Sequence, residues 1–288
     1  MFGKRPDGRL IRTLEPIDRV MPYIMKERND ALNMYEDVIL CKHMDDYIQK
    51  KAADGIKIEY VHIILATMVR LMALRPQLNR FVMRGRVFAR PSIWISFVVH
   101  RSFRETDAGT TVKLCFDGTE NIFEVAQKIN EAVEKEMAVG TNQVGNSTDQ
   151  LLDTILKKLP SWLISGVINF LMWMDKHDML PAAVIDAVPM HTSLFFTNLK
   201  SLGIGHIYHH AYNFGTTSLF LALGKEKMQP VVVGDHLEAA KGIGMGLVMD
   251  ERICDGLYFA RSLKMMKKYL RHPELLEEKL DAKVEDIP

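Results

Sequence analysis

Between Asp250 and Asp255 the chain places two more charged groups, Glu251 and Arg252, and a thiol, Cys254. The apolar run Ile243–Val248 ahead of them reads as a buried strand. Asp255-Gly256 behind them opens an amphipathic helix with Leu257, Phe259, Ala260, Leu263 and Met266 on one face. Charges held between a strand mouth and a helix start form a site-like arrangement. Proton transfer at neutral pH suits a histidine, which titrates near ~6.5, better than a glutamate near ~4.3. Glu251 becomes a usable base only if burial or a facing carboxylate such as Asp250 raises its proton affinity, and Arg252 opposes that. Otherwise Glu251 is a solvated charge or half of an ion pair. Cys254 reads as a small apolar filler.

A second group of reactive side chains is His206, Tyr208, His209, His210 and Tyr212. In an extended segment neighbouring side chains point opposite ways, so at most one of His209 and His210 faces any given site. Loop histidines bonded locally or at a subunit contact are the plainer reading. A metal centre is not expected, because no acidic or thiol ligand lies at suitable spacing. The glycines in Gly203-Ile204-Gly205 and Gly242-Ile243-Gly244-Met245-Gly246 do not sit in strand-to-helix turns that would cradle a phosphate. They are expected to permit close backbone approach.

The elements that must position these groups follow from pattern. Residues 1–16 are polar and Arg-rich, expected as a surface arm, and 17–288 as a single domain. Helices are expected over Asp18–Asn33, Asp45–Ala53, Glu59–Leu74 and Asn121–Met137, and a hairpin over Phe81–Phe88. Strands are expected at Val38–Leu40, Ser92–His100, Thr111–Phe116, Thr192–Leu199, Thr217–Leu223, Pro230–Gly234 and Ile243–Val248. Residues 140–150 read as a loop. They begin an apolar helical insert at about 141–190, whose dense part is Trp162–Met174. That run is too short for the ~20 residues of a membrane span. A buried or subunit-contact helix pair is the leading reading, with a lid or an interfacial membrane contact by 162–174 as alternatives.

The 288 residues can bury a large core, and 48% hydrophobic with 25% charged residues is ordinary for a soluble globular chain. A net charge of +1 gives no electrostatic case for a nucleic-acid partner. Three scattered cysteines and a start without an apolar core point to a cytoplasmic setting.

Two stretches carry a family resemblance. Glu251–Gly256 resembles the HxxxDG signature of the dihydrolipoyl acyltransferases of 2-oxoacid dehydrogenase complexes and of chloramphenicol acetyltransferase. Asp255 and Gly256 match, and Glu251 stands where those enzymes have the catalytic histidine. Phe195–Gly203 resembles their (S/T)-N-(L/I)-G-x-(L/I)-G signature, and Leu221–Gly224 the strand that closes it. Pro16–Arg19 and Arg75–Asn79 are similar to the first helix and to the "PELN" stretch. The resemblance covers 192–276 well and 16–137 loosely.

It implies a two-layer α/β sandwich of the chloramphenicol acetyltransferase type, a mixed or antiparallel sheet with helices on one face. It implies a homotrimer with active sites between subunits, and a coenzyme A thioester as cosubstrate with no tightly bound cofactor. By position Thr197 would stabilise the oxyanion, and Arg19 would form a structural ion pair with Asp255, which Asp255→Ala would break at a cost of roughly 3–5 kcal/mol if buried. The base would be Glu251, His209 or His210. His272–Leu276 resembles the stretch before the apolar plug of shell-forming cores, but residues 277–286 are too charged for a plug, so no shell is expected. The chain begins directly at the catalytic domain, which implies a stand-alone acyltransferase with an unidentified acceptor. The alternative is a trimeric scaffold or ligand-binding relative without the chemistry.

Overall fold

A computed structural model describes residues 4–100, 109–138 and 159–288. The expected loop at 140–150 and the insert up to residue 158 lie outside the described residues. The main sheet has six strands: β3 (Leu32–Leu40), β6 (Ile93–Val99), β7 (Thr110–Phe116), β8 (Leu194–Asn198), β9 (Leu219–Val233) and β10 (His236–Asp250). Their order is β3-β10-β9-β8-β6-β7, with β8 parallel to both its neighbours and every other pair antiparallel. The sheet is therefore mixed.

Strand alternation sorts the two faces. On β10, Ile243, Met245, Leu247 and Met249 enter the main core, while Gly242, Gly244, Gly246, Val248 and Asp250 face the other way. The core face is covered by α2 (Lys42–Ala53), α3 (Tyr60–Leu74), α4 (Ile122–Ala138) and α7 (Gly256–Arg271). α3 is apolar on nearly every side and buried from His62 to Ala73, as a helix enclosed by a sheet and two other helices must be.

The opposite face is crossed by the segment 203–215, here called the strap. Its backbone lies directly on the glycines: a Cβ at Gly246 would run into the Ile207 carbonyl, and one at Gly224 into the His206 backbone. The expected close backbone approach is found at Gly246, whereas Gly203 and Gly205 have open space around them. Lys225 donates to the Ile204 carbonyl (2.8 Å) and fixes the start of the strap.

Several elements differ from the sequence expectation. Residues 4–10 are no surface arm: β1 (Lys4–Arg5) and β2 (Gly8–Leu10) extend a small second sheet, β1-β2-β5-β4, beside the hairpin β4 (Arg80–Met83) and β5 (Arg86–Ala89), and Arg5 and Asp7 are buried. The first helix, α1 (Pro16–Ile24), is short, and β3 starts at Leu32, inside the helix expected to Asn33. The strands expected at 217–223 and 230–234 are one strand, β9. Pro230 is tolerated because, among the described residues, β9 beyond Leu223 pairs only with β10, which leaves its other edge without a ladder partner there.

The described part of the insert forms α5 (Ser161–Lys176) and the short α6 (Ala182–Ala187). In the protomer α5 is not a buried helix. Trp162 (74% exposed), Val167, Ile168, Phe170 and Trp173 all face outward, and its one buried residue is Asp175. Among the described residues no helix is long and apolar enough to cross a membrane. The chain's last residues fold back on the domain: Arg80 grips Asp286 through two 2.6 Å hydrogen bonds, and Pro288 accepts from Arg12 and Thr13.

The packed strap yields a direct test. Gly246→Ala should destabilise the protein by about 1–3 kcal/mol in urea unfolding, the usual cost of overpacking. Gly205→Ala, in the strap itself but with open space around its Cβ, should stay within about 0.5 kcal/mol. Equal effects at the two positions would contradict the contact.

Candidate active site

The signature turn is built on Asp250, the last residue of β10, which is fully buried. Its carboxylate takes two 2.7 Å hydrogen bonds from Arg252, one from Nε and one from Nη2, and a third at 3.2 Å from the Arg252 backbone N–H. Arg28 Nε stands 3.5 Å from the same carboxylate. Both guanidiniums then spend their remaining donors on backbone. Arg252 reaches the Met25 and Lys26 carbonyls behind α1, and Arg28 reaches those of Tyr212, Gly215 and Val82. One buried carboxylate thus joins the turn to the exit of α1, to β4 and to the end of the strap.

Glu251 follows at the first position of a 3₁₀ turn, Glu251–Ile253, and its side chain is exposed. Neither condition that would make it a base is met in the protomer. It is not buried, and the Asp250 carboxylate is turned inward and compensated by Arg252.

Asp255 is also exposed and acts as the N-cap of α7, accepting from the Tyr258 N–H at 2.6 Å. Arg19 is exposed and makes no ion pair with it. The expected Arg19–Asp255 pair is therefore absent. A buried pairing of an aspartate with an arginine from beyond the first helix exists instead between Arg28 and Asp250, the residue just before the signature. Cys254 is buried against Met249, and burial pushes its thiol up to about 12, which removes it as a nucleophile.

Thr197 lies on β8 with Phe195, on the strap face of the sheet, half-buried and without a hydrogen-bond partner for its hydroxyl among the described residues. Register sets its distance from Glu251. Thr197 pairs with Ala222 and Ala222 with Gly246, five residues before Glu251 on an extended strand. That is about 16 Å along the strands, so one protomer does not bring the two side chains together.

His209 is better placed. Its ring stacks on Phe220, with 4.3 Å between centroids, over the small apolar cluster of Phe195, Phe220 and Val248. Phe220 pairs with Phe195, two residues from Thr197, or about 7 Å along the strand. Burial, helped by the neighbouring His210, lowers the proton affinity of His209 below the ordinary histidine value. His210 turns outward, exposed, against Tyr212. His206 and Tyr208 reach to Glu36 on β3. The strap therefore turns His209 inward onto Phe220 and lays the His206 ring over Gly244 and Gly246, while His210 faces out.

Sequence reasoning missed a second buried charge cluster. Arg5 binds Asp7 (2.9 Å) and Asp175 (2.7 Å). His191 lies between the same two carboxylates at 3.7 and 3.5 Å, and Arg90 donates to Thr192 and Thr216. Burial alone would raise the Asp7 carboxyl, but His191 and Arg5 outweigh it and hold the group well below the usual carboxylate range. One sequence signal was available: Asp175 is the first charge after the apolar run of α5. Among the described residues no three His, Cys, Asp or Glu side chains converge as a metal site would need.

Comparison with known proteins falls on this geometry. Residues 216–277, from the strap's end through the signature turn and α7, match the family model of the 2-oxoacid dehydrogenases acyltransferase (catalytic domain). A dihydrolipoamide acetyltransferase of Azotobacter vinelandii is similar in structure, with TM-score 0.57 and 13% identity over 92% of this chain and 93% of that one. A probable dihydrolipoamide acetyltransferase of Listeria monocytogenes gives 0.56 and 15% over 95% and 99%. A chloramphenicol acetyltransferase gives 0.51 and 11% over 91% and 99%. Sequence comparison with the curated proteins finds no match. The fold is that of these acyltransferase cores, as the resemblance implied.

The two aspartates of the turn should separate cleanly on mutation. Asp250→Ala strands two buried arginines and should cost about 3–5 kcal/mol. Asp255→Ala removes an exposed helix cap and should cost about 1 kcal/mol. Urea unfolding of both variants checks this, and a larger loss at Asp255 would restore the expected pair with Arg19.

Proposed function

We propose that this chain, with the fold of the dihydrolipoyl acyltransferase and chloramphenicol acetyltransferase cores, is an acyltransferase acting on coenzyme A thioesters, with His209 rather than Glu251 as its base. The observation that carries the reading is the inward-facing, half-buried His209 on the same sheet face as the unpartnered Thr197 hydroxyl, beside a signature turn whose Glu251 is exposed. A lowered proton affinity leaves His209 neutral at pH 7, the form a general base needs.

In the proposed reaction an acceptor thiol or hydroxyl attacks the thioester carbonyl and gives its proton to His209. The carbonyl oxygen becomes an oxyanion, which the Thr197 hydroxyl stabilises by donating a hydrogen bond. Collapse of the tetrahedral intermediate expels the coenzyme A thiolate, which recovers the proton from His209. The acyl group stays on the acceptor. Nothing is left bound to the protein.

The reading includes a homotrimer whose neighbouring protomers close the strap face, in line with the similar acetyltransferase cores. It places the protein in the cytoplasm, acting without the other components of a dehydrogenase complex. The exposed apolar side of α5 is assigned to contact between protomers. A catalytically silent trimeric scaffold or ligand-binding relative is the second reading, favoured by the exposed Glu251 at the position where relatives of the signature carry histidine.

Free coenzyme A released from acetyl-CoA, with lipoamide or simple amines and alcohols as acceptors, distinguishes the two. His209→Ala should lower turnover about 10²–10⁴-fold, while Glu251→Gln and His210→Ala change little. Loss in Glu251→Gln with turnover kept in His209→Ala would move the role to Glu251. Absence of turnover with every acceptor would favour the silent relative. Light scattering should give the mass of three chains, and a 24-subunit particle would contradict the trimer.

A further inference from the structure

Beside the signature turn, a cleft of about 340 Å³ opens between the exit of α1, the β4–β5 hairpin, the end of α5 and the strap. Its ionisable lining is Lys26, Glu27, Arg28, Arg84, Lys176 and Arg252. With Asp250 behind the floor, five cations face two carboxylates, a local surplus of three positive charges in a chain whose net charge is +1.

Floor and rim differ in kind. Arg28 and Arg252 are buried, and their N–H groups are committed to Asp250 and to backbone carbonyls, so they contribute field rather than bonds. Lys26, Arg84 and Lys176 are exposed, and none makes an ion pair among the described residues. Each keeps its full set of donors for a ligand. Arg84 is held at the tip of a two-residue turn with positive φ at both Arg84 and Gly85, and Tyr23 packs against that turn, so the rim is shaped.

Low-dielectric walls around unpaired cations focus the potential into the cleft. A carboxylate would cancel one charge. A phosphate monoester carries roughly two at neutral pH and offers three acceptor oxygens, so one or two phosphate groups match the surplus. The geometry points to a phosphate-binding site in this cleft, opening one residue from Glu251, for a phosphate-bearing cosubstrate or acceptor. The site stands or falls apart from the proposed reaction, because its occupancy is read without turnover.

Calorimetric titration of the full chain with inorganic pyrophosphate at low ionic strength tests it. Lys26→Gln, Arg84→Gln and Lys176→Gln alter exposed side chains; each should weaken binding about 3–10-fold and the triple variant at least about 30-fold. Glu27→Gln should tighten binding, a gain that unfolding could not mimic. Displacement of pyrophosphate by coenzyme A would assign the phosphates to the cosubstrate, and failure to displace it would assign them to another phosphorylated ligand. No binding by the wild-type chain, or equal affinity in the triple variant, would overturn the site.

Discussion

The Asp250 carboxylate is the constraint on which the site depends. It is buried completely and holds Arg252 through two short hydrogen bonds while Arg28 closes from the other side. Removing such groups from water costs several kcal/mol per ion, which the pairing offsets only if the remaining donors are satisfied. Here nearly all are, by carbonyls of α1's exit, β4 and the strap. Because those carbonyls come from three distant segments, the charge pair sets where the segments sit as well as how stable they are.

The strap depends on this anchor at one end and on glycine at the other. Gly224 and Gly246 let its backbone lie on the sheet, Gly244 makes room for the His206 ring, and the Arg28 contacts hold Tyr212 and Gly215. Between these fixed points His209 stacks on Phe220. Packing of the strap is thus the link between an unusual glycine pattern and the position of an imidazole.

Much of this was legible in sequence because it is local. The apolar run 243–248 and the amphipathic run after Gly256 each depend on near neighbours, and each predicted its element. The opposite orientation of His209 and His210 followed from strand geometry alone. What was not legible is long-range. Arg28 meets Asp250 across more than two hundred residues, and Arg5 meets Asp175 across the whole middle of the chain. A motif match pointed to Arg19 and Asp255 instead, because it compares positions and does not see which carboxylate is buried. Pro230 divided one strand into two on paper, since a sequence does not say which strand edge lacks a partner. The apolar character of α5 suggested burial, yet its outward face is covered by none of the described residues.

In the proposed reading the turn at Asp250–Asp255 is a structural clamp and the strap carries the proton transfer. The pH dependence of kcat/KM for wild-type acyl transfer tests that claim most directly. A histidine base works in its neutral form, so the rate should rise with pH through the proton affinity of His209 and level off above it. Burial against Phe220 lowers that affinity, which places the acid limb below the ordinary histidine value of about 6.5. A limb in the ordinary glutamate range near about 4.3, or above 7, would contradict the account.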